Sequence, residues 1–408
     1  MFKNIFRVFV VLAVTVSFGF LKNVLLGREL SKADFGLFNL VMTLVGFIYP
    51  LALLGQQNAL VRVLSRSRPE DYDWKHYVHR CLPFMVPLAT VLAVSAALLY
   101  DLAVDAWLFL VIAALGSMAA DLYSYVLRAR GRYEHAILLH RSVRVALPLA
   151  LLLLMYLDAV SLKATFAVFG LLYLLHGAMV AATTYRSVGS GSQALTRHHF
   201  TEGLFILGSD FSLLVVGSVD KLFLGRMVNL ELVAIYFAIL SLMRLFDLAL
   251  QAVDYVLMPQ SNKMPEVRLG RITAKVFGVG LAITAFYLVL GKPVTGWVFA
   301  HKYDAGVRLI PFFCLIGLLR LLYTVPASIV AGRLGAGALK RLVSFNSAVI
   351  LVNVALSFWF IKQWQITGAL ISVAVVWFLR TCAAYAVAWR HRTDAPVPAA
   401  VRANGATL

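Results

Sequence analysis

Apolar stretches of about 20 residues, each long enough to cross a hydrocarbon core as a helix, recur along the whole chain. They alternate with short polar segments and predict twelve spanning helices, at 5–24, 36–61, 82–100, 106–127, 136–157, 162–185, 201–224, 232–258, 273–291, 306–330, 341–361 and 367–389. A period-two alternation is not the pattern, which argues against barrel strands. Pro50, Pro148, Pro311 and Pro326 fall inside spans, where each removes a backbone hydrogen bond and makes bending cheap. The first span starts almost at Met1 and lacks a small-residue cleavage site, so it reads as a retained helix.

Composition agrees with this pattern. The chain is 61% hydrophobic and only 14% charged, whereas a soluble domain carries about a quarter charged residues. With the N-terminus placed in the cytoplasm, the inside segments hold 24 Lys and Arg and the outside segments 10. The positive-inside rule therefore puts both termini inside and requires an even number of spans. It also accounts for much of the +18 net charge. Nucleic acid is not an expected partner, because the basic residues are spread over many short loops. Cys81, Cys314 and Cys382 lie in or at different spans and show neither metal-ligand spacing nor a disulfide framework.

The chain repeats itself. "LLGRELSKADFGLF" at 25–38 and "FLGRMVNLELVAIY" at 223–236 align at an offset of 198, with Leu26-Gly27-Arg28 on Leu224-Gly225-Arg226 and Phe38 on Tyr236. Both copies sit where the first span of a half hands over to the second. The expected organisation is a six-helix lobe at 1–186, a cytoplasmic linker at 187–200, a second six-helix lobe at 201–389 and a flexible cytoplasmic tail at 390–408. The predicted fold is all-α: twelve transmembrane helices in two parallel six-helix repeats around a central cavity, with a site near the midplane.

Charges at depth mark that site, because a charge at mid-bilayer costs at least about 2.5–3.5 kcal/mol. Arg244, Asp247, Gln251 and Asp254 fall within an arc of roughly 80° on one helix. Arg244, Arg320 and Arg380 lie in spans eight, ten and twelve, each about 20 Å past the outer end of its span. Three guanidiniums at one level fit a phosphate-bearing ligand, since Arg binds phosphate bidentately. The expected substrate-binding set is Arg244, Arg320, Arg380, Gln251 and Lys22. The expected ion-coupling set, for H⁺ or Na⁺, is Asp121, Asp210, Asp247 and Asp254. The structural alternatives are an Arg244–Asp247 ion pair, pairing of Asp121 with Arg128, and a snorkelling Lys22. Lys22 and Asp220 are related by the 198-residue offset and are candidates to face each other. His176 reads as a buried, hydrogen-bonded histidine. Tyr123, Tyr125, Tyr323 and Trp377 are packing aromatics or the lining of a sugar path.

"LLGRELSKADFGLFNLVMTLVGFIYPLALLGQQNALVR", "VDKLFLGRMVNLELVAIYFAI" and "WQITGALISVAVV" resemble polysaccharide-transport flippases of the multidrug/oligosaccharidyl-lipid/polysaccharide exporter superfamily. Arg28, Leu30, Phe35, Gly36 and Gly55 fit the opening pattern. Asp220, Lys221, Leu224, Gly225 and Tyr236 fit the seventh span and its turn, and Gly368 and Ala369 fit the last span. Ala234 departs from it, standing where a glycine is usual. The resemblance implies a transporter that moves a polyprenyl-pyrophosphate-linked oligosaccharide, or a related polysaccharide precursor, from the inner to the outer leaflet of the bacterial cytoplasmic membrane. In such proteins cationic cavity residues hold the pyrophosphate. It implies a lipid-linked glycan, membrane lipids and glycan polymerase or export machinery as partners. No "GxxxxGK[ST]" loop is present, so no cofactor is expected, and any drive comes from an ion gradient or from substrate consumption. Competing expectations are a cation-coupled drug or small-solute antiporter of the same superfamily and a twelve-span facilitator. A membrane-embedded glycosyltransferase or polymerase is a third, but the short outside loops leave little room for its acidic residues, and no enzyme activity is expected.

Overall fold

The computed structural model describes residues 2–65, 71–193, 197–261, 269–333 and 336–390; within these helices some side chains, including those of 2–13 and Asp210, lie outside the description. Helix covers each of the twelve expected spans, with short breaks, and the described residues contain no strand beyond an isolated bridge between Tyr72 and Gln193. The helices are α1 (Phe2–Glu29), α2 (Lys32–Ala52), α3 (Gln56–Leu64), α4 (Trp74–Leu99), α5 (Val104–Ala129), α6 (Tyr133–Tyr156), α7 (Leu162–Ser187) and α8 (Arg197–Met227). They continue as α9 (Leu230–Leu242), α10 (Arg244–Ser261), α11 (Leu269–Phe299), α12 (Ile310–Arg333) and α13 (Ala336–Arg390). Among the described residues, eight of these are long and apolar enough to cross a bilayer, or nine when α9 and α10 form one bent span. The 55-residue α13 carries the last two expected spans across a break at Gln365, where φ is 49° and ψ is −124°.

The surface confirms the solvent. Leu98, Val289, Trp297 and Leu351 are each between 73% and 79% exposed, and many other large apolar side chains share that surface. Water would penalise such a surface, whereas lipid tails accept it. The protein is an all-α, multi-pass membrane protein.

The chain separates into two compact units, Met1–Ala234 and Ile235–Leu408. In the first, α5 is central and packs against α2, α3, α4, α6 and α7, while α1 lies on α6 and α8 lies on α2 and α3. Phe38, Phe109, Phe166 and Phe169 form its aromatic core, with the Phe109 and Phe166 rings 4.9 Å apart. In the second, α12 is central and packs against α10, α11 and α13.

The sequence repeat is visible as two equivalent corners. α1 ends at Glu29 and α8 at Met227, and a two-residue turn follows each before α2 and α9 begin. Leu26 and Leu224, which align at the 198-residue offset, are both fully buried. Ser31 and Asn229 also align at that offset, and each caps the helix that follows. Ser31 Oγ accepts from Asp34 N at 3.1 Å, and Asn229 Oδ1 accepts from Glu231 N at 2.8 Å.

Span two breaks just after Pro50. Leu54 and Gly55 both take positive φ, 52° and 72°, and the chain re-enters helix at Gln56. The buried Gln56 seals this break: its Nε2 donates to Leu54 O and Phe200 O, each at 3.0 Å. Pro311 lies in the first turn of α12, directly after a 3-10 helix at Asp304–Leu309. Asp73 caps α4 through His76 N and binds Ser190 Oγ at 2.7 Å, and these bonds hold its carboxyl below the usual range.

Gly36 sets the approach of α2 to the start of α9, since a Cβ there would lie 2.1 Å from Leu230 O. Gly46, on the same helix, faces open space. Gly36→Ala is therefore expected to cost about 1–3 kcal/mol and lower the thermal midpoint in detergent, with Gly46→Ala near neutral. Equal midpoints for the two variants would show that this approach is not tight.

Candidate functional site

A connected group of charged and aromatic side chains lies in the second unit, on α10, α12 and α13. It begins at a break in the span formed by α9 and α10. The two helices meet at Met243 with a bend of 48°, although no proline or glycine marks the spot. Tyr287 on α11 seals this break, its hydroxyl donating to Leu242 O and accepting from Leu245 N. The bend makes Arg244 the first residue of α10 and puts Asp247 in its first turn, where a negative charge complements the helix dipole.

Asp247 joins two arginines. Arg244 Nη1 lies 3.1 Å from Asp247 Oδ2, and Arg320 Nη1 on α12 lies 3.2 Å from Asp247 Oδ1. The three side chains are partly open, at 42%, 35% and 25% exposed respectively for Arg244, Arg320 and Asp247.

Arg380 is held differently. It is fully buried and has no carboxylate among its described contacts. Its guanidinium stacks on Trp377 at 4.9 Å and on Tyr323 at 5.0 Å, and Nη2 approaches Tyr323 Oη at 3.4 Å. Its Nε and Nη1 have no hydrogen-bond acceptor among the described residues. Cation–π attraction is worth about 2 kcal/mol or more when desolvated, which offsets only part of the cost of burying the charge. Arg320 also stacks on Trp377, at 5.7 Å, so one indole touches two guanidiniums. Asn346 Nδ2 donates to Tyr323 Oη at 3.0 Å, and Thr381 Oγ1 donates to Leu319 O at 3.1 Å, fixing α13 against α12 beside Arg380.

The three arginines read from their common depth thus fall in one connected constellation, through Asp247 and Trp377. Asp254 lies farther along α10 and accepts from Ser328 Oγ at 2.6 Å. Gln251 is half-buried between them on the same helix. The roles of Asn346, Ser328 and Thr381 were not read from the sequence. Their only signal is a small polar side chain in an apolar run.

The other expected residues belong to the first unit. The ammonium of Lys22 sits 5.0 Å over the Phe38 ring, and the buried Asp220 lies 3.7 Å from Lys221 Nζ. Asp121 on α5 is buried, with Oδ1 3.6 Å from His140 Nδ1 on α6, while Arg128 covers the Tyr125 ring at 5.6 Å. His176 is buried as expected, and its Nε2 donates to Leu139 O at 2.7 Å. Tyr123 packs with Trp74 and Tyr185. Asp210 falls on α8, with its side chain outside the described residues.

A purely structural Arg380 should resist removal, whereas one kept for a ligand is a cost to the empty fold. Arg380→Met is expected to leave the thermal midpoint unchanged or raised by a few degrees, because a buried, unpaired charge is replaced by apolar volume. A fall of several degrees would make the arginine a structural element.

The chain resembles solved structures over most of its length. These include the lipid II flippase MurJ in an inward closed conformation (TM-score 0.70, 12% identity, 93% of this chain and 87% of that one). They also include an inward-facing multidrug resistance MATE family transporter of the MOP superfamily (0.63, 12%, 93% and 94%). A complex of the MATE multidrug transporter DinF-BH is a third (0.63, 14%, 94% and 93%). At such identities the likeness establishes the fold, that of MATE transporters and MurJ. No curated protein matches the chain. The family described as polysaccharide biosynthesis protein matches residues 1–264, and the chain belongs to that family.

Proposed function

We propose that the protein is a flippase. It carries a polyprenyl-pyrophosphate-linked oligosaccharide, or a related polysaccharide precursor, from the inner to the outer leaflet of a bacterial cytoplasmic membrane. The observation that carries this reading is the pair Arg244 and Arg320. Two partly open guanidiniums on different helices share one carboxylate, so the site keeps a positive charge that suits a phosphate group. Membership of the polysaccharide biosynthesis family and the fold shared with a lipid II flippase support it. The moving parts are two six-helix lobes, 1–186 and 201–389, joined by 187–200, with both termini in the cytoplasm.

In this reading Arg244 and Arg320 hold the pyrophosphate, and the charge of Arg380 beside them draws it to the site. Gln251 and Lys22 are further substrate contacts. A coupling cation, H⁺ or Na⁺, is taken by acidic groups among Asp121, Asp210, Asp247 and Asp254. Asp121 is the most buried of those described. The chain performs no covalent chemistry, and a glycan polymerase or export apparatus takes the product onward.

The likeness to MATE transporters favours a second reading, a cation-coupled drug antiporter. An arginine-rich site repels organic cations, which sets it second.

Purified protein in liposomes should accelerate the appearance of a fluorescent undecaprenyl-pyrophosphate oligosaccharide in the opposite leaflet. Arg244→Ala and Arg320→Ala should each cut that rate about tenfold or more, the loss of one charge-assisted contact, with unchanged membrane insertion. Undiminished rates in both variants would remove the arginines from the mechanism. Uptake of an organic cation with no glycan movement would select the antiporter.

A further inference from the structure

Asp247 divides itself between two arginines in an unusual way. A carboxylate and a guanidinium pair best fork to fork, with two parallel hydrogen bonds. Here each arginine receives a single oxygen: Oδ2 faces Arg244 Nη1 at 3.1 Å and Oδ1 faces Arg320 Nη1 at 3.2 Å. Two oxygens of one anionic group bridge two cations on two helices, an arrangement that two oxygens of a phosphate would also satisfy. Neither guanidinium is used up, and Arg244 Nε has no acceptor among the described residues.

The bridge is also within reach. The two arginine side chains are 42% and 35% exposed and the aspartate 25%, unlike the sealed Arg380. A ligand can therefore approach without unpacking α12 from α13. Two cations against one anion leave a net positive charge, which attracts an incoming anion while the carboxylate is still in place. A displaced carboxylate is not stranded either. It remains in the first turn of α10, where the helix dipole favours negative charge.

Resting on the flippase reading, the geometry points to Asp247 as an internal stand-in for the substrate phosphate, which occupies Arg244 and Arg320 between transport events and is displaced when a pyrophosphate loads. Its tether three residues from Arg244 makes it a competitor at high effective concentration. The consequence is a deliberately weakened site. A transporter must release what it binds, and a returning carboxylate speeds that release. Asp247 is thus a specificity and release residue, not part of the permanent phosphate cradle.

The test uses full-length protein in nanodiscs, titrated with farnesyl pyrophosphate and separately with inorganic pyrophosphate. Asp247→Asn keeps the size and removes the charge. It should bind farnesyl pyrophosphate about tenfold more tightly than the wild type. The gain should disappear in the Arg244→Ala, Asp247→Asn double variant. In liposomes, Asp247→Asn should flip labelled lipid more slowly at saturating substrate, because release has slowed. A gain for both probes assigns the site to pyrophosphate itself, and a gain for the farnesyl probe alone assigns it to a lipid headgroup; either supports the inference. A purely structural bridge gives the opposite sign, since removing it loosens the arginines and weakens binding. If the wild type binds and Asp247→Asn binds equally or less well, the stand-in role is overturned while the flippase reading stands. If neither protein binds either probe, the phosphate reading fails and takes this inference with it.

Discussion

A bilayer offers no hydrogen-bond partner to an open backbone or a bare charge, and this constraint governs the whole molecule. Every break in a span must be sealed by a side chain. Gln56 does so after Leu54 and Gly55, and Tyr287 does so between Leu242 and Leu245. Every charge at depth must likewise find an opposite charge, an aromatic face or a ligand. The second unit shows the first two solutions side by side. Arg244 and Arg320 share a carboxylate, and Arg380 lies against two rings.

These solutions differ in what they permit. A guanidinium stacked on Trp377 and Tyr323 is fixed, because the rings belong to the packing of α12 on α13. A guanidinium paired with a partly open carboxylate is exchangeable, because another anion can take the same place. On the proposed reading the arrangement combines a rigid wall with a replaceable counter-ion, which suits a site that must load and unload. The bend at Met243 contributes by making Arg244 and Asp247 the opening turn of a helix, where the backbone itself favours an anion.

Much of this was legible in the chain. Span length gave the helices, since burial of an apolar run needs no knowledge of its neighbours. The offset of 198 residues pointed to corners that prove equivalent, down to the caps Ser31 and Asn229. The shared depth of Arg244, Arg320 and Arg380 anticipated their grouping. Three features were not legible. The bend at Met243 carries no proline or glycine, because the tertiary contact from Tyr287 compensates it. The break at Gln365 is likewise unmarked by its own residue. The partners of Arg380 are aromatic rings on α12 and on its own helix, and sequence spacing cannot reveal a contact between helices. The same limit left Asn346 and Ser328 unread.

The central claim is that this constellation recognises a lipid by its phosphates. Native mass spectrometry of the protein in nanodiscs would test it most directly, with undecaprenyl pyrophosphate and undecaprenol offered at equal concentration. The account predicts that wild-type protein retains the pyrophosphate and not the alcohol, and that the Arg244→Ala, Arg320→Ala double variant loses this preference. Equal retention of the two lipids by the wild type would contradict it, and would place recognition in the prenyl chain.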